Sequence, residues 1–76
     1  MKDMNSVDLK PAAGLYIVWR IRGYITLGYV KAVTLAGNCY VDYPGIEGTI
    51  KAHQIIDVVR TYEDYKENEK AGKYRL

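Results

Sequence analysis

The sequence has no phenylalanine, one cysteine (Cys39), one histidine (His53), two prolines and no long apolar run. A single cysteine excludes an intrachain disulfide, so nothing covalent staples the fold, and an unpaired thiol suits a reducing, intracellular compartment. No stretch approaches the roughly 18–20 apolar residues of a membrane-spanning helix, and Met1–Lys10 (MKDMNSVDLK) is too polar for a signal peptide. A cytoplasmic protein with no membrane partner is therefore expected. One Cys and one His cannot supply the three or four convergent ligands of a zinc site, so no metal is expected. As nucleophile and base the pair would need one exposed site and a third orienting group. Cys39 reads instead as a small core residue and His53 as a solvated turn residue. The glycines sit at turns rather than in a phosphate loop, and neither catalysis nor a cofactor is expected.

What the chain has is tyrosine: eight of them with one tryptophan in 76 residues. Tyrosine suits surfaces that are apolar in the body and hydrogen-bonding at the tip. The length makes one domain, small enough to bury only about 60–65% of its unfolded surface, so close packing or oligomerisation must support it. The net charge is +2. Between Lys10 and Arg60 six bases (Lys10, Arg20, Arg22, Lys31, Lys51, Arg60) face three acids (Asp42, Glu47, Asp57), a mildly basic segment. From Thr61 to Leu76 four acids and four bases cancel.

The organisation predicted is a lead-in over 1–13, a small β-barrel over 14–60 and a C-terminal helix or tail over 61–76. Leu15–Arg22 alternates, with Leu15, Ile17, Trp19 and Ile21 on a core face and Tyr16, Val18, Arg20 and Arg22 on a wet one. Tyr24–Tyr43 reads as a β-hairpin turning at Gly37-Asn38, a pair suited to the positive φ of a two-residue turn. Gly28 reads as a bulge or a sharp barrel bend, and a bulge there sends Leu27, Val30 and Ala32 inward and leaves Tyr29 and Lys31 outside. Cys39 and Val41 face the core, Tyr40 and Asp42 the solvent. Thr49–Ala52 forms a fourth strand with Ile50 and Ala52 inward. His53–Ile55 makes one 3₁₀ turn, and Ile56–Arg60 a fifth strand. Thr61 reads as the N-cap of a helix over Tyr62–Ala71 that Gly72 stops, docking weakly because its apolar content is slight.

Five short strands with a 3₁₀ step before the last resemble the Src-homology-3-like small β-barrels, and among them Tudor-type modules. The likeness rests on Gly28-Tyr29-Val30-Lys31-Ala32-Val33, Tyr40-Val41-Asp42-Tyr43, Thr49-Ile50 and Ile55–Val58, and it covers about Gly14 to Arg60. It implies an all-β, five-stranded barrel that works by recognition. In Tudor-like modules rings at such loop ends hold methylated lysine or arginine by cation–π attraction, which points to Tyr24, Tyr40 and Tyr43 as an aromatic cage. Trp19, in phase with Leu15 and Ile17, is expected in the core. In size and pattern the chain is also similar to type II dihydrofolate reductases. Where that family carries Val-Gln-Ile-Tyr, however, this chain reads Thr-Ile-Lys-Ala-His over 49–53.

The candidate binding residues are Tyr16, Arg20, Arg22, Tyr29, Lys31, Tyr40 and Lys51, bases interleaved with rings on what should be the outer face. Tyrosine and arginine are common anchors of protein interfaces, so a protein partner, a second copy included, is the first expectation. The same mixture serves single-stranded DNA or RNA, cations for phosphates and rings for bases. So compact a module would suit an accessory protein of a mobile element.

Overall fold

The structure is a computed structural model that describes residues 9–75; most of the expected lead-in, residues 1–8, lies outside the described residues. Five antiparallel strands are followed by one helix: β1 (Tyr16–Ile21), β2 (Tyr24–Val33), β3 (Cys39–Asp42), β4 (Thr49–Ile50), a one-turn 3₁₀ helix (Ala52–Gln54), β5 (Ile55–Val59) and α1 (Tyr62–Lys70). The sheet order is β4-β3-β2-β1-β5, a four-strand meander onto whose first strand β5 returns. The sequence pattern anticipates a closed barrel. The five antiparallel strands and the short helix are present, but among the described residues no ladder joins β4 to β5, and the sheet stays open at those two edges.

The first hairpin turns at Arg22-Gly23, between the paired residues Ile21 and Tyr24. Both turn residues have positive φ, 52° and 86°, the signature of the type I′ turn whose twist matches the strands it joins. Arg22 thus leaves the strand in which its alternation placed it. The second hairpin departs from the two-residue Gly37-Asn38 turn. Its loop is Leu35-Ala36-Gly37: the Gly37 N–H donates to the Thr34 carbonyl at 2.9 Å, and the Thr34 N–H to the Asn38 carbonyl at 2.9 Å. Only Gly37 needs positive φ there. Asn38 instead accepts with Oδ1 from the Ala52 N–H at 2.9 Å, tying the hairpin to the 3₁₀ turn.

Gly28 is not a bulge. It pairs in register with Ile17, and its missing side chain makes room for Trp19, since a Cβ built there would lie 2.8 Å from the indole. The irregularity falls three residues later: Val30 pairs with Val41 and Ala32 with Tyr40, leaving Lys31 as the extra residue. This shift exposes Lys31 and Ala32 together and returns Val33 to the core side. A matching bulge lies in β5, where Val18 pairs with Asp57 and Trp19 with Ile55 so that Ile56 is extruded.

Packing on the inner face follows the alternation. Ile17, Trp19, Val30, Cys39, Val41 and Ile50 are buried together, with Ile21, Val33, Ile46, Ile55 and Val58 against them. Leu27 packs on the opposite side, and Ala52 is exposed. The outer face of β1, expected to be wet, carries a second core: Val18 is fully buried with Val59, Tyr65 and Tyr74, flanked by Tyr16, Ile25 and Leu27. The cover is α1 and the turn beyond it. Thr61 caps the helix, its Oγ1 accepting from the Asp64 N–H at 3.0 Å. At the other end the Gly72 N–H donates to the Glu69 carbonyl and the Lys73 N–H to the Asn68 carbonyl, a Schellman ending that reverses the chain. Tyr74 is thereby laid on Tyr65, rings stacked at 5.6 Å. The weak helix of the sequence reading is thus held by a residue outside the helix. Among the described residues no helix is long and apolar enough to cross a membrane.

Candidate binding surface

The two ladders fix which side chains share the outer face. Tyr16 pairs with Tyr29 and Tyr29 with Asp42, so these three form a row across β1, β2 and β3. Beyond the bulge Ala32 pairs with Tyr40 and Tyr40 with Thr49, a second row across β2, β3 and β4. Lys31 projects between the rows. The C-terminal segment covers the β5–β1 half of this face and stops at Tyr16, whose half-buried ring meets Tyr29 edge-on at 5.4 Å and 73°. Tyr29 and Tyr40 remain 43% and 45% exposed, and Lys31 and Asp42 are exposed beside them.

Of the seven binding residues predicted, the structure brings Tyr16, Tyr29, Lys31 and Tyr40 together. Arg20 lies half-buried under the C-terminal turn, where its Nη2 donates to the Tyr74 carbonyl. Arg22 is exposed at the tip of the first hairpin, and Lys51 is exposed at the entry to the 3₁₀ turn, its backbone N–H held by Gln54 Oε1 at 2.9 Å. The rings proposed as a cage are spread out. Tyr24 stands 76% exposed at the first hairpin, Tyr40 is on the outer face, and Tyr43 packs edge-on against buried Trp19 at 5.8 Å. No ring-to-ring contact joins the three.

Sequence reasoning did not put Asp42 and Thr49 in the patch. Asp42 was legible, because it sits two residues from Tyr40 in an alternating strand. Thr49 became visible only with the β3–β4 register.

The densest polar cluster of the described residues is at the C-terminal cap. Tyr74 OH donates to Asp57 Oδ2, Asn68 Nδ2 donates to Tyr74 OH at 3.2 Å, and Lys73 Nζ stands 3.3 Å from Asp57 Oδ2. The other Asp57 oxygen accepts from the Val58 N–H at 2.9 Å. Burial first, then the hydrogen bond to Asp57, pushes the Tyr74 phenol far above its ordinary pKa. Burial, then the Glu69 charge, raises Tyr65, and burial raises the Cys39 thiol. This cluster fastens the cap to the sheet, and its Asn68 and Lys73 border a small pocket between α1 and β5 that is also lined by Leu9, Val58, Arg60 and Asp64. Cys39 is buried and His53 exposed, with no hydrogen bond between them. Among the described residues no group of three or more His, Cys, Asp or Glu is placed to hold a metal.

Fold and surface together define a small antiparallel β domain, capped on half of one face by its own C-terminal segment and presenting tyrosines on the other half. The chain matches no known family model, no curated protein and no solved structure.

Proposed function

We propose that the chain is a non-enzymatic recognition module that binds protein through the open half of its outer face, centred on Tyr29, Lys31 and Tyr40 with Tyr16 at the border. The observation that carries this reading is that Tyr29 and Tyr40 stay nearly half-exposed on a face whose other half is closed by α1. Amphipathic rings held on a rigid sheet bring large contact area at little cost in rotamer freedom. The meander, the 3₁₀ step and the return of β5 to β1 support a kinship of plan with the Src-homology-3-like barrels, Tudor-type modules included.

Single-stranded nucleic acid is the second reading, and the charges weigh against it. Arg20 has a partner in the C-terminal turn, Arg22 lies at a hairpin tip, and Asp42 shares the face with Lys31. A phosphate backbone needs a run of cations that this half of the face does not offer. The separation of Tyr24, Tyr40 and Tyr43 similarly weighs against a methyl-reading cage.

The test uses immobilised wild-type protein and a Tyr29→Ala/Tyr40→Ala variant with the same fold by circular dichroism. A protein retained by the first and lost by the second supports the reading; identical retention by both, or none by either and no self-association, overturns it. Oligonucleotide affinity that falls steeply between two salt concentrations and is lost in Lys31→Ala would favour nucleic acid instead.

A further inference from the structure

Among the described residues of β2 and β3, the open half of the outer face carries one cation and one carboxylate around two tyrosines, Lys31 at the β2 bulge and Asp42 in the row of Tyr29. Both charges are exposed, and no ion pair joins them within the chain. A bulge re-aims the side chain of its extra residue, and here it turns Lys31 outward between the two tyrosine rows. A face with one charge of each sign is half-matched by a uniformly acidic or basic partner and fully matched by itself. Across a twofold axis, residue i of one copy meets residue j of the other and the reverse.

From this we infer that the occupant of the face is a second copy of the same chain, in a face-to-face, twofold dimer in which Lys31 of each copy pairs with Asp42 of the other and the Tyr29 and Tyr40 rings fill the centre. The inference rests on the reading of this face as a protein-binding surface and names its partner. Pairing through the adjoining sheet edge is disfavoured, because β4 is only two residues long and offers too few backbone groups to template another strand. The edge-on contact of Tyr16 with Tyr29 steadies the border of the face before association, which lowers the ordering cost of binding.

The experiment is sedimentation equilibrium of the full chain and of Lys31→Asp, Asp42→Lys and the double swap, with circular dichroism as the control for folding. Wild type self-associates to a dimer. Each single change places like charges across the axis and weakens the dimer by about tenfold or more, while the double swap returns it to within about threefold of wild type. Mixing the two single variants gives a heterodimer tighter than either homodimer. A wild type that stays monomeric to millimolar concentration overturns the inference, as does a dimer indifferent to the single changes or a double swap that fails to recover. If the protein is monomeric yet still retains a different protein through Tyr29 and Tyr40, only the choice of occupant falls. If it is monomeric and retains nothing, the reading of the face falls with it.

Discussion

The indole of Trp19 lies against the backbone of Gly28, so close that a Cβ on residue 28 would stand 2.8 Å from Cη2 and 2.9 Å from Cζ3, with Val41 Cβ at 3.3 Å on its far side. Trp19 is 1% exposed and anchors the inner core, so it has nowhere to retreat. Gly28→Ala is expected to destabilise the fold by about 1–3 kcal/mol through overpacking. Urea unfolding followed by tryptophan fluorescence measures it, and an unchanged midpoint would show that the indole can shift.

The first hairpin holds an arginine in a left-handed conformation, Arg22 at φ 52°. Asparagine and glycine occupy that region at lower cost than a long side chain. Arg22→Asn is expected to raise stability by about 0.5–1 kcal/mol, read as an upward shift of the thermal midpoint. A lower midpoint would mean that the arginine side chain contributes a contact the turn alone does not explain.

The outer core depends on Tyr65, which joins α1 to Val18 and Val59. Tyr65→Ala is expected to cost about 2–4 kcal/mol and to lower a single unfolding transition. Amide exchange in α1 should follow that global transition. Exchange of the helix well before the sheet would show that the cap opens by itself.

Alkaline pH should unfold the protein earlier than acid-base behaviour of free tyrosine alone would suggest. Tyr74 and Tyr65 have phenols raised in the folded state, and Cys39 a raised thiol. A raised pKa means that the folded chain keeps protons the unfolded chain releases, so their contribution is complete below the unfolded values and declines as pH rises above them. Those values are about 8.5 for cysteine and about 10 for tyrosine. Stability is therefore expected to fall from about pH 8.5 upward and more steeply above about pH 10. In Tyr74→Phe the fold starts less stable at neutral pH, having lost the bond to Asp57, and the slope above pH 10 is shallower. Equal slopes in the two proteins would remove Tyr74 from the linkage.

Local pattern carries a long way in this chain. Alternation of side chains placed Ile17, Trp19, Val30, Cys39, Val41 and Ile50 on one buried face, and Thr61 and Gly72 marked the ends of the helix. Tyr29, Lys31 and Tyr40 were legible as outward for the same reason. The hairpin loops were harder, because Gly23 and Gly37 each permit more than one turn and pairing register decides between them. Gly28 shows the same ambiguity: a glycine in a strand reads as a bulge or as a close approach, and only the position of Trp19 selects the second.

The sequence by itself determined five strands, most of their inner face and the outward Tyr29 and Tyr40, because a two-residue period sorts side chains before any tertiary contact forms; Leu27, Ala32 and Ala52, expected inward, lie elsewhere. Only the tertiary structure decided that the outer face is divided. Val18 and Arg20 look solvent-facing within their own strand, and they are covered because a Schellman turn more than fifty residues later brings Tyr74 back over them. No local pattern encodes that return; it follows from long-range burial and from the hydrogen bonds of Asp57 and Arg20, which exist only once the chain has closed on itself.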